Sequence, residues 1–276
     1  MKPIGQTIGT LRRGKGLTQA ELAELLAVSA QSVSKWECGT STPDVALLPV
    51  IARTFGITMD ELFGYRLDAL GERERFIRFM ADNGVLRFGS FPLRSGRVSP
   101  YFIDTGRYRS GGQAARLGEF YAACMREHNV EATLLAGGTR REFPLVVATA
   151  MTLYRKYGFD PAYTLGGEVG RQAEAGDEVV LIKDTLTSGQ SLRAALDEWR
   201  AAGMGQVSHV IVSVDRMERD ERAACTARKA IERAYGVRIH AIVTAEDIIR
   251  ALDNGVIAGA EYLDAMRQYQ AQYGGI

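Results

Sequence analysis

The chain has 276 residues, 46% hydrophobic and 24% charged, with a formal net charge of +1; that suits two globular domains and excludes a disordered or uniformly basic chain. Any affinity for nucleic acid therefore has to come from a local patch. Cys38, Cys124 and Cys225 are widely spaced and odd in number, and neither an export signal nor a long apolar run is present, so the expectation is a cytoplasmic protein without disulfides, structural zinc or a membrane span.

Residues 3–64 read as a series of short helices. Thr18 is an N-cap, and Glu21 three residues later completes a capping box. Leu22, Leu25 and Leu26 give that helix an apolar stripe. Ser29 caps the next helix, over 30–37, with Val33 and Trp36 turned inward and Gln31, Ser32 and Lys35 outward. Pro43 and Asp44 open a fourth helix running through Ala52, and residues 60–63 end a fifth.

The runs Leu17-Thr-Gln-Ala-Glu-Leu-Ala, Val28-Ser, Val33-Ser-Lys-Trp-Glu, Pro43-Asp and Phe55-Gly-Ile resemble the helix-turn-helix of the lambda repressor and Cro family. The resemblance implies that the helix over 30–37 enters the major groove of double-stranded DNA. Gln31 and Ser32 then reach base edges, and Gln19, Lys35, Arg12, Arg13 and Lys15 contact phosphates, which position without specifying. Ala30 stands at the start of the reading helix where this family often carries Arg, which leaves fewer base contacts there. Residues 65–75 are polar with one Gly and read as a linker passing into a helix. The expected division is a DNA-binding domain over 1–66, a linker over 67–75 and a second domain over 76–276.

From about residue 72 a helix and a β-hairpin region precede alternating helices and strands. Strands are expected at 134–136, 179–182, 207–214 and 238–243, and helices at 113–127, 144–157, 191–202 and 222–235. Alternation of this kind implies an α/β fold, a parallel sheet covered by helices on both faces, with ligands held at the C-terminal ends of the strands.

At one such end lies Val179-Val-Leu-Ile-Lys-Asp-Thr-Leu-Thr-Ser-Gly-Gln-Ser191. An apolar run, an acid and a Thr/Ser/Gly turn opening a helix make a phosphate cradle, because N–H groups and the helix dipole there favour an anion. Gly189 permits close approach of backbone, and Thr187, Ser188 and Ser191 add hydroxyl donors. Asp184, Thr185 and Gln190 belong to the same loop.

This stretch resembles the PRPP loop of the type I phosphoribosyltransferases, which has two acids where this chain has Lys183 and Asp184. The hood segment Phe88-Gly-Ser-Phe-Pro-Leu-Arg-Ser-Gly-Arg-Val-Ser-Pro-Tyr-Phe and Val212-Ser-Val-Asp-Arg-Met-Glu-Arg narrow the resemblance to orotate phosphoribosyltransferase across nearly all of 76–276. It implies that Arg216 and Arg94 contact orotate or neighbouring phosphates and that Phe102 lies beside the base. Three departures fall where catalysis is expected. Lys183 replaces an acid. The pyrophosphate loop reads Gly137-Gly-Thr-Arg-Arg-Glu-Phe-Pro144, with Arg141 at a Lys position and Glu142 at a Gly position. The cationic mobile loop is replaced by a shorter, net acidic stretch whose sole cation is Arg171.

Together these features predict a transcriptional regulator with no catalytic residues and no required cofactor, magnesium entering only if PRPP is bound. A homodimer is expected to read a DNA operator and sense a phosphorylated effector such as PRPP, orotidylate or another nucleotide. In that reading Lys183 faces the ligand and favours one richer in phosphate. The alternative is an active orotate phosphoribosyltransferase carrying an autoregulatory DNA-binding domain.

Overall fold

A computed structural model describes all residues except 1–3, 58, 64–69, 94–95, 166–168, 204, 221–222 and 276. The chain divides into two units, Met1–Gly71 and Glu72–Ile276. The segment expected as linker is helical from Glu72 onward.

The first unit holds α1 (Ile4–Gly14), α2 (Gln19–Leu25), α3 (Ala30–Glu37), α4 (Leu48–Phe55) and α5 (Met59–Leu62). The capping box of Thr18 and Glu21 is formed, and the Ser29 hydroxyl accepts from the Ser32 N–H. Both helix starts therefore follow from local hydrogen bonding. Asp44 caps a single 3-10 turn over Val45–Leu47 that leads into α4. Ile8, Leu22, Val33, Ile51 and Leu62 are fully buried and Trp36 nearly so. Leu25 departs from expectation and is 57% exposed. At 100° per residue the buried face centres on Leu22, Ala23 and Leu26, which places Leu25 well off it. Gly5 lets α1 press against the end of α3, because a Cβ there would lie 1.7 Å from the Trp36 carbonyl oxygen.

The second unit begins with α6 (Glu72–Asp82) and the antiparallel pair β1 (Leu86–Pro92) and β2 (Val98–Ile103). There follow α7 (Gly111–Glu127), β3 (Leu134–Gly137), α8 (Phe143–Tyr157), β4 (Ala162–Leu165), β5 (Val169–Gly170), β6 (Glu178–Leu186), α9 (Gln190–Ala202), β7 (Gln206–Asp215), α10 (Ala227–Tyr235), β8 (Arg238–Thr244), α11 (Ala245–Asp253) and α12 (Leu263–Tyr273). The main sheet runs β5-β4-β3-β6-β7-β8, parallel apart from the edge strand β5. Val179, Val180, Leu181 and Ile182 are all fully buried, as an unbroken apolar run requires when helices cover both faces of a sheet.

The strand order locates the ligand crevice. From β3 the chain crosses to β4 on one side, and from β6 it crosses to β7 on the other. The connections leaving β3 and β6 thus diverge, and the gap beyond their C-terminal ends is the topological switch point where open α/β sheets hold ligands.

The helix expected over 222–235 starts later, at Ala227, where the Thr226 side chain accepts from the Lys229 N–H. Before it the Asp220 N–H donates to the Cys225 carbonyl. The short strand β4 and the helices α11 and α12 were not anticipated from sequence.

Candidate functional site

In the first unit, α3 presents Ala30, Gln31 and Lys35 to solvent, with Ser32 partly exposed. The Ser32 hydroxyl lies 2.8 Å from that of Ser29. Arg12 does not act as expected. Its guanidinium grips Glu37 with two bonds of 2.6 and 2.9 Å and donates to the Leu17 carbonyl. Side-chain exposure is 12% for Arg12 and 8% for Glu37, so this cation fastens α1 to α3 and is not available to a phosphate. Gln19 also bonds Glu37, at 2.9 Å. Lys15 reaches the Thr54 carbonyl at 3.0 Å, and Arg13 is exposed.

In the second unit the switch-point crevice is framed by the loops after β3, β6 and β7. β6 delivers Lys183 and Asp184 to its end, and the loop 187–189 leads into α9. No side chain caps the first turn of α9. Thr187, Gln190 and Ser191 are exposed, while Thr185 and Ser188 are half-buried. Gly189 has φ of +78°, and a Cβ there would lie 2.5 Å from Ile231 Cδ1. The glycine is thus demanded by left-handed backbone and by packing on α10 as well as by any ligand. Asp184 accepts from the Thr105 hydroxyl at 3.2 Å and from the Thr185 N–H at 2.7 Å. Tyr121 donates to the Lys183 carbonyl at 2.7 Å, and the Ser213 hydroxyl donates to that of Asp184. These two side chains fix the backbone of the loop from neighbouring elements. Neither was singled out from sequence, since each sits inside an apolar pattern.

Lys183 lies at the crevice but is not free to meet a ligand. Its ammonium is 2.5 Å from Glu142 Oε1, and each side chain is only 3% exposed. The other carboxylate oxygen of Glu142 accepts from the N–H groups of Gly138 and Thr139, both at 2.8 Å. The two departures flagged from sequence are therefore one buried ion pair. Burial raises the Glu142 carboxyl above the usual range, and the ammonium beside it pulls the other way. Arg141, next in the same loop, is exposed.

Arg216 is also enclosed. Its main-chain N–H bonds the Leu186 carbonyl at 3.0 Å, which joins the ends of β6 and β7. Its side chain, 3% exposed, pairs with Glu218 at 2.7 Å, donates to the Ser99 hydroxyl at 2.9 Å and lies over the Tyr101 ring. Tyr269 on α12 donates to the same Glu218 at 2.9 Å. The expected ligand cation is thus buried and paired within the protein, on a carboxylate that Arg97 also approaches at 3.4 Å. Phe102, on the strand that supplies Ser99 and Tyr101, stacks on Phe91 with centroids 5.5 Å apart. Arg94 lies outside the described residues.

The stretch between β4 and β6 carries its single cation away from the crevice. Val169–Gly170 turns back along β4, and Arg171 bonds Asp177 at 2.6 Å. Asp177 just precedes β6 and also accepts from the Thr133 hydroxyl, which just precedes β3. Arg171 therefore anchors the strand starts, opposite the ligand end. It holds the Asp177 carboxyl down at about 2.

Among the described residues no group of three or more His, Cys, Asp or Glu could hold a metal ion. At the crevice Asp184 is the carboxylate left over, because Glu142 is committed to Lys183. These residues do not fit a divalent cation held by the protein.

The second unit aligns with orotate phosphoribosyltransferases over nearly their full length. That of Colwellia psychrerythraea is 34% identical over 218 residues, 73% of this chain and 98% of its own. The chain belongs to the orotate phosphoribosyltransferase family. The Yersinia pestis orotate phosphoribosyltransferase is 36% identical over 211 residues, covering 73% of this chain and 97% of its own. The crystal structure of the Francisella tularensis orotate phosphoribosyltransferase superposes with a TM-score of 0.65 at 30% identity, covering 73% of this chain and all of that one. Residues 8–62 match the helix-turn-helix family model. The chain is a helix-turn-helix DNA-binding domain joined to an orotate phosphoribosyltransferase-like domain. Among its described residues no helix is long and apolar enough to cross a membrane.

All three histidines of the chain cluster away from the crevice. His209 Nδ1 is 2.9 Å from His240 Nε2, and the His128 ring lies 4.4 Å from that of His240 between centroids. Burial, then the neighbouring His128, His209, Arg228 and Arg238, lowers His240 to about 4. A histidine depressed in the folded state takes up its proton more readily when unfolded, so its contribution is complete above about pH 6.5 and is lost as pH falls toward 4. Between pH 7.5 and 4.5 the half-buried ring should cost about 1–2 kcal/mol after solvent screening. Urea denaturation of His240→Phe should show a flatter acid limb than the parent; identical limbs rule the cluster out as the source.

Proposed function

We propose that the chain is a ligand-responsive transcriptional regulator. Its phosphoribosyltransferase-like domain binds a phosphorylated metabolite without turning over orotate. The buried Glu142–Lys183 pair is the observation that carries this reading. It places a carboxylate on the loop amides next to the crevice and neutralises the one lysine there. Displacing pyrophosphate needs cations that stabilise the leaving group and a lid that excludes water. Arg171 is tied to Asp177, and residues 166–168 carry no cation. The open loop of Thr187, Ser188 and Ser191 keeps the chemistry of a phosphate cradle.

α3 supplies the reading helix, with Gln31 and Ser32 toward base edges and Lys35 toward phosphate. The ligand changes DNA affinity by as much as its own affinity differs between the free and DNA-bound forms. Magnesium is not required. Thermal melting of the full chain with orotidylate, uridylate or PRPP tests the sensor role, because a ligand at a hundred times its dissociation constant adds about 2.7 kcal/mol. A flat response to all three sinks it.

The regulator works as a homodimer, which matches two reading helices to a near-palindromic site. On α8, Met151 and Tyr154 are 49% and 60% exposed beside a groove that Ala114 and Ala115 of α7 help to line. Large side chains next to small ones suit self-association of two copies. Tyr154→Glu should lower the sedimenting mass toward the monomer; an unchanged dimer assigns the contact to another face.

The 34% identity to a named orotate phosphoribosyltransferase supports the second reading, a working transferase that also binds DNA. Turnover assays separate the two.

A further inference from the structure

The crevice has two places for an anion, and one is already filled from within. Gly138 and Thr139 aim their N–H groups at one point, Lys183 approaches it from β6, and α8 begins beside it with Glu142 as its N-cap residue. Converging amides, an ammonium and a helix start are what an anion site consists of. The anion there is Glu142 itself, 2% exposed. Packing holds it in place. A Cβ on Gly137 would lie 3.3 Å from Glu142 Cβ, and one on Gly138 would meet Ala195 of α9 at 3.1 Å and Lys183 Nζ at 3.5 Å. Because this carboxylate is tethered, it competes at a high effective concentration with any anion from solution. The second place, the turn over 187–189 opening α9, has no side-chain cap.

We propose that Glu142 is a built-in anion that closes one of the two sites, so that the domain selects ligands bearing a single phosphate ester and rejects those needing a second anion site. This deepens the sensor reading and rests on it. A nucleoside 5′-monophosphate or a sugar monophosphate meets the requirement. A ribose carrying a 5-phosphate and a 1-diphosphate does not, since its second anionic group would have to expel Glu142. The Glu142–Lys183 pair is internally neutral, so Lys183 adds no net positive charge to attract that group.

Calorimetric titration of the full chain with uridylate, ribose 5-phosphate, inorganic phosphate and PRPP, with and without magnesium, tests the proposal. The expected result is that at least one monophosphate ester binds tenfold or more tightly than PRPP, regardless of magnesium. Inorganic phosphate binding as tightly as the esters means that the loop recognises the anion alone, and the proposal of an ester-selective site is overturned. PRPP binding as tightly as the esters, or more so, overturns the proposal and leaves the sensor reading standing. No heat from any of the four, with no shift in melting temperature from them or from orotidylate, overturns the sensor reading and the proposal with it. In the Glu142→Gly, Lys183→Asp double variant the order should reverse in favour of PRPP with magnesium; an unchanged order in a folded variant contradicts the role of Glu142. Glu142→Gln with Lys183→Met keeps the shape but removes the tethered anion, so the parent's preference over PRPP should shrink; an undiminished preference there would count against a carboxylate plug even if the first double variant did not fold.

Discussion

Lys183→Met alone should destabilise the second unit by about 3 kcal/mol or more, while Lys183→Met combined with Glu142→Gln should lie within about 1 kcal/mol of the parent. The asymmetry comes from burial. Removing one partner leaves a carboxylate that is 2% exposed and supported by two amides in place of an ammonium. Removing both charges leaves groups of similar shape, and the loop amides keep an acceptor. The single variant has a pH signature with a definite sign. The Glu142 carboxyl, already raised by burial, rises further without Lys183. A raised acid binds its proton more readily in the folded state, so the defect should shrink as pH falls through the folded value toward the usual carboxylate range. Guanidinium denaturation of the four proteins in the cycle at pH 7.5 and 5 measures both effects. Equal losses in the single and double variants mean that the two groups are not coupled.

Orotate turnover should be absent or at least about ten-thousand-fold below that of an orotate phosphoribosyltransferase assayed beside it. Removal of one preorganised donor at a developing charge typically costs a hundred- to a thousand-fold. Here two such contributions are altered together. The loop amides hold Glu142, and the only cation between β4 and β6 is fixed to Asp177. At 1.36 kcal/mol per tenfold, the combined loss approaches the scale of a complete catalytic device. Orotidylate formation from orotate, PRPP and magnesium, followed by chromatography, is a direct readout. A rate within tenfold of the reference enzyme would establish the transferase reading instead.

The sequence made local features legible and left distant pairings hidden. Thr18, Glu21 and Ser29 mark helix starts because capping is decided within four residues. The run Val179–Ile182 announces a strand buried on both faces. Lys183 and Glu142 were each visible as departures, yet nothing in either segment reveals that they meet. The same holds for Arg12 and Glu37: a basic residue at a helix end looks like a phosphate contact until α1 and α3 are packed together. Arg216 was expected at the ligand by resemblance, but Glu218, two residues on, pairs with it and Tyr269 of α12 secures that carboxylate. Helix α12 was missed because only Met266 and Tyr269 are buried along it, too few for a clear apolar stripe. Gly189 was read for its approach to ligand, and packing on Ile231 proved an equal demand.

In the proposed regulator a phosphorylated ligand in the second unit controls DNA binding by the first. The most direct test is fluorescence anisotropy of the full chain on an operator obtained by selection from random duplexes, with and without saturating uridylate or orotidylate at fixed salt. The expected result is a change in DNA affinity of at least fivefold, about 1 kcal/mol of coupling, and a reciprocal change in ligand affinity when operator is present. Identical DNA affinity with a ligand demonstrably bound would contradict it.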